Sequence, residues 1–450
     1  MADGIRAMLS EAAEWIGGRV TGENVMFSGV SHDSRKIAAG NLFIALHGPN
    51  HDGHDHVADA LAKGAVAALV ERQLEVDIPQ LVVADTHQAL SELAGSWRRK
   101  LDVKVVAITG SNGKTTVKEM CAAILAGDGA TLATEGNLNN EIGVPLTLLR
   151  LSNEHRYAVI EMGANHAGEI SRMVKLAAPQ VAMITNAGPA HLEGFGSLDG
   201  VAQAKGEIYQ GLDEDGVAII NADDAYADYW RGVVGGRRVI SFGAEADVSA
   251  TYQVDTNGQL LLWRGLDREC AFTLPLLGEH NLRNALAASA AALALELDTV
   301  LIAKGLQGMK PVPGRLCAGE GVGGARVIDD SYNANPASLV AGLKVLAGFS
   351  GKRYLALGDM GELGDGAEAM HREAGAEALR LGVDRLYAYG PLSRAACEGF
   401  GKDSEHFSER RALIDALLPV MRPDVTVLVK GSRASRMDEV ARAISAGEGH

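Results

Sequence analysis

Along this chain, short apolar, β-branched runs alternate with longer segments whose apolar residues recur every three or four positions, the signatures of strand and amphipathic helix. Residues 41–46, 65–70 and 81–84 read as strands of a first unit with helix-like stretches between them. A helix over 86–100 follows, with Leu90, Leu93 and Trp97 at helical spacing and Arg98, Arg99 and Lys100 at its end, where the helix dipole favours cations. That triplet is expected to be a solvated helix end just before a domain boundary. From Val103 the rhythm is plainly α/β: strands at 105–109, 158–161, 181–185 and 217–221, separated by helix-length segments, predict a parallel sheet with helices on both faces. Over 248–277 the texture turns antiparallel, with Asn257-Gly258 as a hairpin turn, and an alanine-rich helix over 281–297 follows. A turn at 311–314 marks a second linker. Beyond it the α/β rhythm resumes with strands at 326–330, 354–357, 385–389 and 425–429. The simplest accounting is three domains, at 1–100, 101–314 and 315–450, with no internal repeat and no low-complexity tract.

Length and composition agree with that division. At 450 residues, 47% apolar and 22% charged, the chain can bury several cores. Its 42 basic and 57 acidic residues leave a net charge of −15, with no basic run, which argues against nucleic acid or an anionic membrane as the main partner. An anionic ligand must then be met by local groups: loops, helix N-termini and metal ions. Cys121, Cys270, Cys317 and Cys397 are far apart and lack C-x-x-C spacing, so neither disulfides nor zinc are expected. The N-terminus lacks a signal-peptide core and no stretch approaches a membrane span, as expected of a cytoplasmic globular protein.

The stretch 105–120, VVAITGSNGKTTVKEM, carries the first chemistry. An apolar strand, a small-residue turn and a helix beginning near Thr115-Thr116 form the context of a phosphate-binding loop. Gly110 and Gly113 let the backbone bend so that amides, with Ser111 and Asn112 between them, point into the turn. Lys114 would set a full charge against the β- and γ-phosphates, and Thr115 a hydroxyl ligand for Mg2+. One departure stands out: where the general pattern has a glycine, five residues before Gly113, this chain has Ile108. Glu161 ends a strand, where a parallel sheet gathers its ligands, and a carboxylate beside a phosphate loop is a natural Mg2+ ligand. His191 and Lys205 stand out in the region after the next strand, although a lone loop histidine is usually incidental and a lone helical lysine usually solvated. Residues 134–141, including Asn137, Asn139 and Asn140, form either a loop with a helix cap or a loop offering amides to a polar substrate, and nothing local decides between them.

Two further patterns are expected to be decoys. Residues 319–324 satisfy GxGxxG but run into a strand, so a glycine-rich hairpin connection is the better reading. His47, His51, His54 and His56, interleaved with Asp52 and Asp55, resemble a metal cluster; with no flanking helix predicted to set their faces, a surface or substrate loop is preferred over zinc.

Together the motifs resemble the Mur ligases, ATP-dependent amide-forming enzymes of peptidoglycan precursor synthesis. Residues 109–116, TGSNGKTT, match that family's form of the phosphate loop, missing glycine included. The resemblance implies a small α/β N-terminal domain binding the UDP-sugar, a central P-loop domain with an antiparallel addition, and a C-terminal Rossmann-like domain for the incoming amine. It implies two Mg2+ ions, with Thr115 and Glu161 holding the first and His191 with a carbamylated Lys205 the second. It implies that Asn281, in EHNLRN, meets the adenine and that Arg315 and Asp330 swing over the nucleotide from the third domain. Ser31, Asp33, Ser34 and Arg35, in SHDSR, resemble the nucleotide-sugar loop of the later ligases. The central-domain stretches TEGNLNNEIGVPLTLL and EMGANHAGEI, and the run DSYNANP with Asn333 and Asn335, resemble the member that adds D-alanyl-D-alanine to UDP-N-acetylmuramoyl-tripeptide. A monomer is expected. The alternatives are a relative adding the third amino acid, a folylpolyglutamate-type ligase, which lacks the DSR-bearing first domain, and a non-ligase P-loop nucleotide switch, in which Glu161, His191 and Lys205 would have no reason to co-occur.

Overall fold

The computed structural model describes residues 4–48, 51–189, 192–255, 258–276, 278–310 and 313–446. His191, Asn257 and the first half of the turn at 311–314 lie outside them.

The three larger sheets follow one another along the chain. The first has five strands in the order Arg19–Thr21, Gln80–Val82, Ala67–Val70, Leu42–Ile44, Val30–Ser31, parallel except at the first pair. The second has nine. Its order runs Arg268–Leu274, Gly258–Gly265, Val248–Asp255, Arg238–Phe242, Val217–Asn221, Val181–Ile184, Lys104–Thr109, Tyr157–Glu161, Thr131–Ala133. Only the three strands from 248 to 274 pair antiparallel with one another. The third has six strands: Cys317–Glu320, Arg326–Asp330, Val425–Lys430, Lys352–Gly358, Arg385–Tyr389, Ser404–Phe407, parallel but for the first pair.

Lys104–Thr109 shows why the parallel strands are continuously apolar. Successive side chains point to opposite faces, and both faces are covered: Val105 and Ala107 enter one core, Val106 and Ile108 the other. The helices Lys114–Leu125 and Glu279–Ala294 pack on the second face. The strand is also where the sheet order reverses, since the chain leaves it for the 131 and 157 strands on one side and then the 181 and 217 strands on the other. Ligands of open α/β sheets gather beyond the carboxyl ends of strands at such a point.

The end of the helix Thr86–Arg99 corrects the sequence reading. Arg99 and Lys100 are exposed, but Arg98 is buried. Its guanidinium donates to the carbonyls of Ala177 (3.0 Å), Leu101 (3.0 Å), Val103 (2.8 Å) and Ala178 (3.3 Å). It therefore caps the helix Glu169–Ala177 of the following unit. Trp97 likewise donates across to the carbonyl of Leu151 at 2.9 Å, and one apolar core runs from Leu9 through Leu93 to Val105 and Ile160. A solvated end was expected because sequence shows the helix's own dipole and not the carbonyls a neighbour presents. Arg98→Met should lower the unfolding free energy by about 3 kcal/mol or more, since each buried carbonyl left unpaired costs about 1–3 kcal/mol. A urea titration reads it; a change within about 0.5 kcal/mol would make the clamp ornamental.

The glycine-rich pattern resolves as expected. Residues 319–324 fall at the antiparallel connection between Cys317–Glu320 and Arg326–Asp330. Among the described residues no group of His, Cys, Asp and Glu could hold a metal ion as a cluster. His54 is instead a buried structural residue, its Nδ1 2.5 Å from Asp52 Oδ1 and its Nε2 accepting from the Glu71 amide at 2.8 Å. A short 3-10 turn, Gly53–His56, and the helix Val57–Ala62 do flank it, contrary to the expectation of no helix there.

Candidate active site

The phosphate loop leaves its strand at Gly110 and enters its helix at Gly113, with φ of 149° and 81°. A Cβ on Gly110 would lie 1.9 Å from Thr185 Oγ1, and one on Gly113 2.4 Å from Asn284 Oδ1, so both glycines permit close approach as well as the bend. Ile108, where the general pattern has glycine, still lies within the strand, fully buried, and the turn begins two residues later. The end of the neighbouring strand braces the turn. Asn112 accepts at its carbonyl from Thr185 Oγ1 (2.6 Å) and Asn186 Nδ2 (3.0 Å), and its amide donates to Asn186 Oδ1 (3.0 Å). Ser111 Oγ and Gly188 hold each other at 2.9 Å in both directions. This bracing leaves the loop preformed.

Lys114 donates to the Gly110 carbonyl at 2.6 Å, and burial lowers its pKa against the opposing pull of Glu161. Glu161 is buried at the strand end; Oε1 accepts from Asn139 Nδ2 at 2.8 Å, while Oε2 has no hydrogen-bond partner. A buried carboxylate oxygen without a donor is costly unless a cation meets it. The Thr115 hydroxyl lines the same cleft, and both groups offer hard oxygens, which fit Mg2+. In the loop 134–141, Asn140 Oδ1 accepts from the Gly143 amide at 2.8 Å at the start of the helix Gly143–Leu148, and Asn139 donates to Glu161.

Lys205, on the helix Leu198–Gly206, overturns the ordinary expectation of a solvated lysine. It is buried, its Nζ lies 6.0 Å from the centre of the Phe195 ring, and its pKa is pushed well below the usual lysine value, first by burial and then by the charge of Lys114. The amine is thus held toward its neutral, nucleophilic form.

The third unit reaches the same place. Arg315 Nη2 donates to Thr115 Oγ1 at 3.1 Å, and Asn335 Nδ2 donates to Asn112 Oδ1 at 2.8 Å. A cleft of about 880 Å3 lies between the units. Ser111 through Thr116, Asn137, Asn139, Asn140, Glu161, Asn281, Arg315, Asp330, Asn333 and Asn335 all line it. Asp330 is paired with Lys430 Nζ at 2.5 Å, and the same ammonium donates to the Asn333 carbonyl at 3.1 Å. His280, also on the wall, is held neutral, burial taking its pKa down to about 4.

Ser31, Asp33, Ser34 and Arg35 lie elsewhere, at the end of the Val30–Ser31 strand, and do not line the cleft. Asp33 accepts from the Arg35 guanidinium at 2.8 and 2.9 Å, which with the Arg35 amide holds its carboxyl well below the usual range. Sequence reasoning gave no role to Lys430, to Glu362 or to Arg433, whose guanidinium lies 5.6 Å from the centre of the Tyr332 ring that Arg315 approaches to 4.3 Å. The signal for Lys430 was a lysine ending the apolar run 425–430.

Fold and site together define an α/β nucleotide-binding enzyme whose third unit meets the phosphate loop of its central sheet. Residues 26–98, 108–292 and 314–433 match family models described as "Mur ligase family, catalytic domain", "Mur ligase middle domain" and "Mur ligase, glutamate ligase domain". The chain belongs to the Mur ligase family. The UDP-N-acetylmuramoyl-tripeptide--D-alanyl-D-alanine ligase of Escherichia coli (strain K12) is 46% identical over 446 residues, covering 98% of each chain. The crystal structure of MurF from Acinetobacter baumannii matches with a TM-score of 0.93 at 37% identity, covering 97% of this chain and 98% of that one. MurF ligase from Thermotoga maritima, in complex with ADP, matches with a TM-score of 0.83 at 29% identity, over 92% of this chain and 96% of that one.

Proposed function

We propose that this protein is an ATP-dependent ligase that joins D-alanyl-D-alanine to UDP-N-acetylmuramoyl-tripeptide in peptidoglycan precursor synthesis. The observation that carries this reading is the meeting of the central and third units at one cleft: a braced phosphate loop and an acidic strand end from the one, and Arg315 and Asn335 arriving from the other. It is supported by the 46% identity to a ligase of that name along nearly the whole chain. ATP phosphorylates the tripeptide's terminal carboxylate, giving an acyl phosphate and ADP. The dipeptide amine then attacks the carbonyl carbon, the C–N bond forms, and phosphate leaves.

Each role follows from position. The amides of residues 110–113 and Lys114 bind the triphosphate and take up charge as the γ-phosphoryl group moves. Asn281 lies beside the phosphate loop, where the adenine is held, and Arg315 and Asp330 close over the nucleotide. Ser31, Asp33, Ser34 and Arg35 hold the UDP-sugar at the far end of an extended substrate, which explains their distance from the cleft. Asn137, Asn139 and Asn140 face its peptide, and Asn333 and Asn335 the incoming dipeptide. Two Mg2+ ions, when bound through Thr115 with Glu161 and through His191 with carbamylated Lys205, neutralise phosphate charge. We read the three domains as residues 1–100, 101–314 and 315–450, and the working enzyme as a cytoplasmic monomer.

Phosphate release measured with UDP-N-acetylmuramoyl-tripeptide and ATP should depend on D-alanyl-D-alanine. Turnover without the dipeptide, or with a single amino acid in its place, would refute the assignment.

A further inference from the structure

The helix that opens on the phosphate loop buries a second lysine. Lys118 lies one turn beyond Lys114 on the helix Lys114–Leu125, so the two side chains leave the same face. Val117, Met120, Cys121 and Ile124 of that helix fill an apolar core. Lys118 is almost as deeply buried, at 2% exposure, and does not line the cleft. A buried ammonium costs far more than an apolar side chain unless it is paired and hydrogen-bonded. Here it donates to the Thr134 carbonyl at 2.6 Å and lies 2.7 Å from Oε1 of the half-exposed Glu119.

Thr134 is the point at which the loop 134–141 leaves the sheet. The strand Thr131–Ala133 ends one residue earlier, and Thr134 is fastened twice to the neighbouring strand Tyr157–Glu161. Its amide donates to the Val159 carbonyl (3.0 Å), and its hydroxyl accepts from the Glu161 amide (3.0 Å). Asn139 returns to the same strand end. Its Nδ2 donates to Glu161 Oε1 (2.8 Å), and its carbonyl accepts from the Gly163 amide (2.8 Å). Residues 134–139 are thus a short arch with both feet on the end of one strand, and Asn137 and Asn139 line the cleft. Lys118 grips the first foot from the helix that carries the phosphate loop, so it ties the arch to that loop.

We propose that Lys118 is a positioning residue for the tripeptide. It sets the distance between arch and phosphate loop, so that Asn137 and Asn139 meet the peptide while the peptide's carboxylate faces the γ-phosphate. The inference rests on the ligase reading above. Lys118 touches neither substrate and acts through Asn139. ATP, held by the phosphate-loop amides and Lys114, and the dipeptide, met by the third unit, do not depend on it.

K118M fills similar space without the donor. With its melting temperature checked, its KM for UDP-N-acetylmuramoyl-tripeptide should rise about 10- to 100-fold, the usual cost of an outer-shell partner, while those for ATP and D-alanyl-D-alanine stay within about threefold. N139A should raise the same KM. The double variant should be little worse than the worse single one, because residues that act through one another are not additive. Should K118M fail to fold, K118Q, which keeps an uncharged donor, carries the same cycle. Hydrogen exchange read by mass spectrometry without substrate should be faster over 134–143 in the Lys118 variant and unchanged over the helix Glu279–Ala294. An unchanged tripeptide KM, three KM values rising together, additive effects in the cycle, or wild-type exchange over the arch would each overturn the proposal. A wild type that never accepts the dipeptide would instead overturn the ligase assignment, and the exchange result would still decide the role of Lys118.

Discussion

Lys114→Ala is expected to lower turnover by roughly 10³-fold, the scale seen when one preorganised charge is removed from a phosphoryl-transfer site. The ammonium is pinned at the helix N-terminus by the Gly110 carbonyl at 2.6 Å, so it needs no reorganisation when triphosphate arrives. Burial works against the charged form and Glu161 restores part of it; a bound triphosphate, with far more negative charge, would restore the rest. Most of the effect should fall on kcat, because the phosphate-loop amides still bind ATP. Lys114→Arg should not rescue it, since a branched planar guanidinium cannot take the lysine's place under the Gly110 carbonyl. Steady-state kinetics at saturating ATP read both variants; activity within about tenfold of wild type would remove Lys114 from the phosphoryl-transfer step.

Lys205→Ala should also abolish ligation, and short carboxylates such as acetate or propionate should restore part of it. A lysine amine cannot ligate a cation, but its carbamate can, and carbamate forms only from the neutral amine. The buried Lys205, with its pKa well below the usual lysine value, offers more of that form than a solvated lysine would. The sign for stability is opposite. A lysine whose folded pKa is lowered binds fewer protons folded than unfolded, so it weakens the fold at low pH, and the penalty fades as pH rises toward the ordinary lysine value. In metal-free, CO2-depleted buffer Lys205→Met should therefore melt at a higher temperature than wild type at low pH, with the difference closing at alkaline pH, while remaining inactive. A well-folded Lys205→Ala that no carboxylate revives would count against the carbamate.

Much of this was legible in the chain. Continuous β-branched runs announced the central parallel strands because both faces of that sheet are buried, and TGSNGKTT announced the loop because its glycines and lysine have few other uses. Short strands went unread. Thr131–Ala133, Arg238–Phe242 and Ser404–Phe407 are three to five residues long, and all three carry charged or half-exposed positions, so pattern alone cannot separate them from loop. At the site, sequence named Asn335 and Asn112 separately but could not join them, since 223 positions separate the pair and the contact exists only when the third unit meets the second. Arg98 failed for the same reason: its four acceptors belong partly to another helix. What a residue does locally was readable, whereas what a distant unit brings to it was not.

The central claim is that ATP activates the tripeptide's carboxylate in this cleft before the dipeptide attacks. Tripeptide labelled with 18O in both oxygens of its terminal carboxylate tests it most directly. With ATP and D-alanyl-D-alanine, mass spectrometry should find one 18O in each phosphate released and one retained in the new amide of UDP-N-acetylmuramoyl-pentapeptide. Unlabelled phosphate alongside ligated product would contradict the acyl phosphate, and with it this account of the site.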